Sequence, residues 1–186
     1  MDTLAHDTPT LVSRDAWRAA RLALLAREKE LTRLHDQIAR ERRALPWVRV
    51  DTPYTFDTPQ GTRTLAELFD GRRQLMVQHF MFAPGWEQGC KSCSFMADHH
   101  AGALLHLAQR DLTLVAVSRA PLADIEAFRR RMGWTFPWVS SFGTSFNHDF
   151  GVNFSQEEMS RGAVDYNYTR QPFPHEEAPG ISVFVR

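Results

Sequence analysis

The chain contains two cysteines, Cys90 and Cys93, separated by two residues. A Cys-x-x-Cys pair supports dithiol–disulfide exchange or the start of a metal site, or it consists of two ordinary core thiols. Its surroundings favour the first. It follows QLMVQHFMF (74–82), an apolar run of strand length interrupted by Gln78 and His79, and precedes a helical pattern over Ser94–Gln109. At a strand-to-helix junction the spacing reads as a redox motif. Cys90 then falls at the N-cap or first turn, where unpaired N–H groups and the nearby Lys91 favour a thiolate. Cys93 falls on the face continuing through Ala97, Ala101 and Leu104 and is expected to be the less exposed thiol. An accessible nucleophile with a shielded partner is what attack followed by resolution requires.

The rival chemistries meet specific obstacles. His99, His100 and His106 follow in the same helical pattern, but a straight helix carries His99 and His100 too far from Cys90 to share one tetrahedral ion. They are expected to face solvent. A peroxide-reducing cysteine of related layout has Pro and Thr at fixed distances before it. Here the third residue before Cys90 is Glu87, and Pro84 is at a different spacing.

The elements that must hold the pair follow from periodicity. Ser13 and Asp15 open a long helical pattern in which Trp17, Leu24, Leu31, Ile38 and Leu45 recur every seven residues. Ala20 and Leu34 fill d-like positions, whereas Arg27 and Glu41 break the other two. The pattern suits a helix packed along the domain, or a coiled-coil arm joining two copies in a homodimer. Residues 1–12 read as a tail, and Pro46 ends the arm, so 1–46 and 47–186 are the expected units. Beyond it, Val48–Val50, Tyr54–Phe56, Thr62–Leu65, Leu112–Val117, Phe136–Val139 and Pro179–Val185 read as strand material. Leu65–Phe69, Pro121–Met132 and Phe146–Phe150 read as helical segments. Asn153–Ala178 shows no clear element, and loops of that length usually act as lids or binding segments. Strands alternating with helices imply an α/β layer structure with parallel crossovers.

Composition excludes other classes. Twenty-two basic residues balance twenty-two acidic ones, which argues against a nucleic-acid coat or an anionic-membrane binder. The arm over Ser13–Leu45 holds nine basic and five acidic residues, so the remainder is acidic. No apolar run approaches membrane-spanning length, and no signal-peptide pattern opens the chain. Two cysteines are too few for a disulfide scaffold, and the expectation is a cytoplasmic protein.

The pair after a buried strand, LTLVAVSRAPLADIEAF (112–128) and GWTFPWVSS (133–141) resemble a thioredoxin-like family of bacterial proteins, domain of unknown function 899. So do the opening stretch Leu11–Val50, Tyr166–Tyr168 and EAPGISVF (177–184). The resemblance covers nearly the whole chain. It implies a thioredoxin-like fold, a central mixed sheet flanked by helices, and supplies no activity by itself. Gly89 stands where thioredoxins carry Trp, and Lys91-Ser92 where they carry Gly-Pro, so the redox poise does not transfer. Family members continue past the PGISVF strand, and the domain is expected to lack a final strand and helix, leaving an open sheet edge. The resemblance also implies that Pro179 is the cis-proline facing the cysteine pair.

Ser118 and Arg119 close a buried strand at the end where ligand crevices form. Arg119 is a candidate to hold an anionic substrate or assist a thiolate, or it is a solvated loop residue. Trp86 either walls the site or covers the core. His79 is expected to be a satisfied core histidine, with proton relay as the other role. Tyr166 and Tyr168 belong to a lid or pin the long loop. These features together suggest a dithiol–disulfide oxidoreductase using Cys90 and Cys93. It would act without a cofactor or metal on a protein or small-molecule disulfide, with an unidentified electron donor. The alternatives are a non-catalytic interaction scaffold and a metal-binding chaperone using the cysteines with a histidine.

Overall fold

The computed structural model describes residues 10–186, and residues 1–9 of the expected tail lie outside the described residues. The chain divides into two compact units, Met1–Asp51 and Thr52–Arg186. The first is built on α1 (Arg14–Arg43), whose N-cap Ser13 accepts a hydrogen bond from the Ala16 amide at 3.2 Å. Asp15 in the first turn and Arg40, Arg42 and Arg43 in the last complement the helix dipole. The helix stops at Ala44, before Leu45, and buries none of its side chains. Val48–Val50 form no strand, because no other segment pairs with their backbone.

The second unit opens with a hairpin, β1 (Thr55–Thr58) and β2 (Gly61–Thr64), and a single 3-10 turn at Glu67–Phe69. The alternating unit follows: β3 (Gln74–His79), α2 (Lys91–Ala97), α3 (His100–Ala108), β4 (Leu112–Ser118), α4 (Leu122–Met132) and β5 (Trp138–Ser140). Then come α5 (Phe146–Asp149), α6 (Gln156–Ser160), a small hairpin of β6 (Val164–Tyr166) and β7 (Thr169–Gln171), and β8 (Gly180–Val185). Six strands form one sheet in the order β2-β1-β5-β4-β3-β8. β3 runs parallel to β4 in the register His79↔Val117, and antiparallel to β8 in the register His79↔Gly180. This mixed sheet, with the cysteines between β3 and α2 and a return strand behind Pro179, is thioredoxin-like. No helix of the described residues is long and apolar enough to cross a membrane.

Strand alternation sorts the core onto two faces. Leu75, Val77, Val115, Val117 and Val139 pack with Tyr54, Phe56, Phe69 and Phe146 on one side. Phe80, Phe82, Ala116, Phe128, Trp134, Phe136 and Trp138 form an aromatic layer with Cys93 and Ala97 on the other.

Two expectations are corrected here. The helix after the cysteines is broken at Asp98-His99 and does not run straight through. The His99 imidazole donates from Nδ1 to the Phe95 carbonyl at 2.9 Å, taking the acceptor its own amide would use in an α-helix. The His99 amide turns instead to Met96 at 3.1 Å, and the Trp134 indole holds Asp98 at 2.8 Å. Secondly, residues 153–178 do contain regular elements. α6 carries a full capping box between Ser155 and Glu158. The β6–β7 turn places Asn167 and Tyr168 at φ 51° and 62°, the paired left-handed conformation of a tight hairpin. Val152, Phe154, Val164 and Ala178 give this segment a small core of its own.

Candidate functional site

Cys90 is the N-cap of α2 and is half-buried, while Cys93 in the first turn is only 2% exposed. Both are free thiols. The Cys90 amide donates to the Met81 carbonyl at 3.0 Å, tying the start of the helix to the chain leaving β3. The Cys90 carbonyl accepts from both the amide and the hydroxyl of Ser94, each at 2.9 Å. A Cβ built on the preceding Gly89 would lie 2.4 Å from the ring of Phe80, itself part of the aromatic layer. The cysteine loop therefore packs against the core at a distance only glycine permits.

The two thiols differ electrostatically. Burial pushes the Cys93 thiol up to about 12. Burial is the main cause; the Met81 backbone acts in the opposite sense, and the neighbouring Cys90 adds to the rise. Cys93 is thus a neutral thiol at physiological pH.

The other candidates from the sequence separate into those near the pair and those away from it. Trp86, like Cys90, packs against the aromatic layer, with His175 edge-on to its ring at 6.2 Å. Pro179 accepts at its carbonyl a hydrogen bond from the Tyr166 hydroxyl at 2.7 Å. Burial raises the Tyr166 pKa, and Cys93 acts in the same sense. Tyr166 pins the long segment against Phe154 and Phe173, whereas Tyr168 stands exposed at the hairpin tip.

The structure corrects several of these roles. No described peptide bond is cis, so Ala178–Pro179 is trans. Ala178 donates to Val152 at 2.9 Å and Gly180 already pairs with His79, so the trans proline joins two anchored residues. Ser118 is fully buried; its hydroxyl donates to the Phe80 carbonyl at 2.7 Å and accepts from the Trp138 indole at 2.9 Å. It is a core hydrogen-bond hub without a surface for substrate. Arg119 donates from Nε to buried Glu177 and lies 3.5 Å from Glu176, so its guanidinium is committed to two carboxylates. His99 and His100 use their imidazoles on the Phe95 carbonyl and on Gln78, so His100 is half-buried where solvent exposure was expected. Among the described residues no three His, Cys, Asp or Glu side chains gather as a metal site.

Sequence reasoning missed Gln78, His100 and Glu177. Gln78 is a buried glutamine inside an apolar strand, and that interruption was the available signal. Burial pushes Glu177 up to about 7, even though Arg119 favours its charged form. Nothing in the local sequence distinguishes Glu177 from the less buried Glu176 beside it.

A sulfur pair of this kind on this sheet defines a thioredoxin-like dithiol domain. The chain belongs to the family described as bacterial protein of unknown function (DUF899), whose model matches residues 6–186. No curated protein matches it. Among solved structures, it is similar to a bacterioferritin comigratory protein of Xanthomonas campestris studied for alkyl peroxide reduction. That likeness has 14% identity over 76% of this chain and 78% of the other, with a TM-score of 0.49. Peroxiredoxin Q of the same organism gives 15%, 76%, 77% and 0.49. PrxQ of Xylella fastidiosa gives 14%, 60%, 72% and 0.44.

Proposed function

We propose that this protein is a dithiol–disulfide oxidoreductase acting through Cys90 and Cys93 in a reducing cytoplasm. The observation that carries this reading is the asymmetry of the pair: a half-buried Cys90 at the N-cap of α2 and, three residues on, a buried, neutral Cys93. In the first step the Cys90 thiolate attacks a substrate disulfide, forming a mixed disulfide and expelling one substrate thiolate. Bonding at Cys90 removes the negative charge that opposed ionisation of Cys93. Cys93 then loses its proton and attacks the Cys90 sulfur. The second substrate thiolate leaves, and an internal disulfide remains. Two electrons have passed to the substrate, and an external dithiol must return them. The substrate is a protein or small-molecule disulfide. The metal-chaperone alternative lacks a third ligand among the described residues.

The test is turnover of insulin disulfides with dithiothreitol as donor. The wild-type chain is expected to accelerate reduction, and Cys90→Ser to fall to the rate of dithiothreitol alone. Equal activity in Cys90→Ser would overturn the assignment.

A further inference from the structure

Gln78 lies on β3, is 4% exposed, and faces the helix pair α2–α3. A buried amide must satisfy both of its ends. Its Nε2 donates to the carbonyl of Cys93 at 3.3 Å, and its Oε1 is 2.6 Å from Nε2 of His100. The orientation follows from the partners. A carbonyl can only accept, so the amide nitrogen faces Cys93, the amide oxygen faces His100, and His100 donates from Nε2. The ring of His100 is held in turn by edge-on packing against Phe136 at 5.2 Å. The chain is thus bridged from the first residue of α3, through the sheet, to the peptide of the resolving cysteine, across the break at Asp98-His99.

We propose that Gln78 and His100 are positioning residues for Cys93, holding its turn of α2 where its sulfur can reach the Cys90 mixed disulfide. The inference rests on the oxidoreductase reading. α2 has only seven residues and no continuous helix behind it to fix its axis. Its ends are tethered separately, the N-cap by the Cys90 amide to Met81 and the C-cap Asp98 by the Trp134 indole. The Gln78 amide instead grips the carbonyl of the residue that performs resolution. The relay therefore bears on the second thiol step and leaves the first attack to Cys90.

Stopped-flow reaction with dithiobis(nitrobenzoate) separates the two steps, since each releases one thionitrobenzoate. In Gln78→Leu the first release is expected to hold its rate, while the second slows by about tenfold or more, as small misplacements of reacting groups do. His100→Phe should behave like Gln78→Leu, and His100→Gln, which keeps a donor toward Gln78, should recover most of the second rate. An unchanged second release in Gln78→Leu and His100→Phe would overturn the positioning role and leave the oxidoreductase reading standing. Equal slowing of both releases would also overturn it, marking a purely structural effect. A wild-type chain that makes no second release would overturn both readings.

Discussion

The two faces of the central sheet bury comparable sets of side chains but treat their polar members differently. On the helix-covered face, Gln78 has both ends of its amide bonded, and Ser118 serves Phe80 and Trp138 at once. On the opposite face, the next strand residue, His79, is 1% exposed, packed against the rings of both Phe146 and Phe150, and bonded through Nε2 to Ser182 at 2.8 Å. Its Nδ1 is buried without a partner among the described residues. On the strands of the face that carries the cysteines, Gln78 and Ser118 thus complete their polar contacts, and Gln78 locates the Cys93 backbone. His79, the corresponding strand residue on the other face, leaves one ring nitrogen without a partner among the described residues and touches no cysteine backbone, so its expected effect is on stability.

The largest effect expected from this contrast is in the aromatic layer. Trp138→Ala should lower the unfolding free energy by about 3–5 kcal/mol, through cavity formation and loss of the Ser118 partner. Denaturant titration measures it. A change under about 1 kcal/mol would show that the layer does not organise this face.

The next effect is the acid sensitivity of the opposite face. Burial holds His79 down at about 4, against an ordinary 6.5. A base depressed in the folded state binds its proton more readily when unfolded. Its contribution is therefore complete above pH 6.5 and lost as the pH falls toward 4, by about 3 kcal/mol at full effect. His79→Leu should flatten the stability profile between pH 6.5 and 4, at a fixed cost from the Ser182 hydroxyl it abandons. An unchanged acid slope in the variant would contradict this.

Glu177 works in the opposite direction at the cysteine end of the sheet. Its pKa is raised to about 7 from 4.5, chiefly by burial. Its contribution is fully present below pH 4.5 and is lost as the pH rises through 7. Glu177→Gln should flatten the stability curve from pH 4.5 to 7 while leaving the His79 slope in place. The smallest effect belongs to the separate core of residues 153–178. Ser155→Ala removes the capping box of α6 and should cost about 1 kcal/mol, read by denaturant titration. A loss of several kcal/mol there would mean that this segment is integral to the main core.

Much of the framework was legible in the sequence because it is local. The apolar runs of β3, β4 and β8 announce buried strands, and α4 begins after Pro121 and ends at Gly133, with φ 70°. The position of Cys90 at the junction and the deeper burial of Cys93 were readable from spacing alone. What escaped depends on contacts between distant residues. The break before His100 comes from an imidazole competing for a backbone acceptor, while Ala97–Ala108 continued an unbroken apolar pattern. Ser118 and Arg119 stand at the correct end of β4, but only the packed structure turns Ser118 inward to Trp138 and pairs Arg119 with Glu177, 58 residues away. Val48–Val50 look like a strand because two β-branched valines flank Arg49, and a strand still needs a partner for its ladder.

The most direct test of the central claim is the oxidised product of the wild-type chain. After reaction with a slight excess of dithiobis(nitrobenzoate), non-reducing peptide mapping should find an adduct-free disulfide joining Cys90 to Cys93, with Cys93→Ser arrested as a stable nitrobenzoate adduct on Cys90. A wild-type chain that retains the adduct, or whose two thiols react independently without joining, would contradict the account.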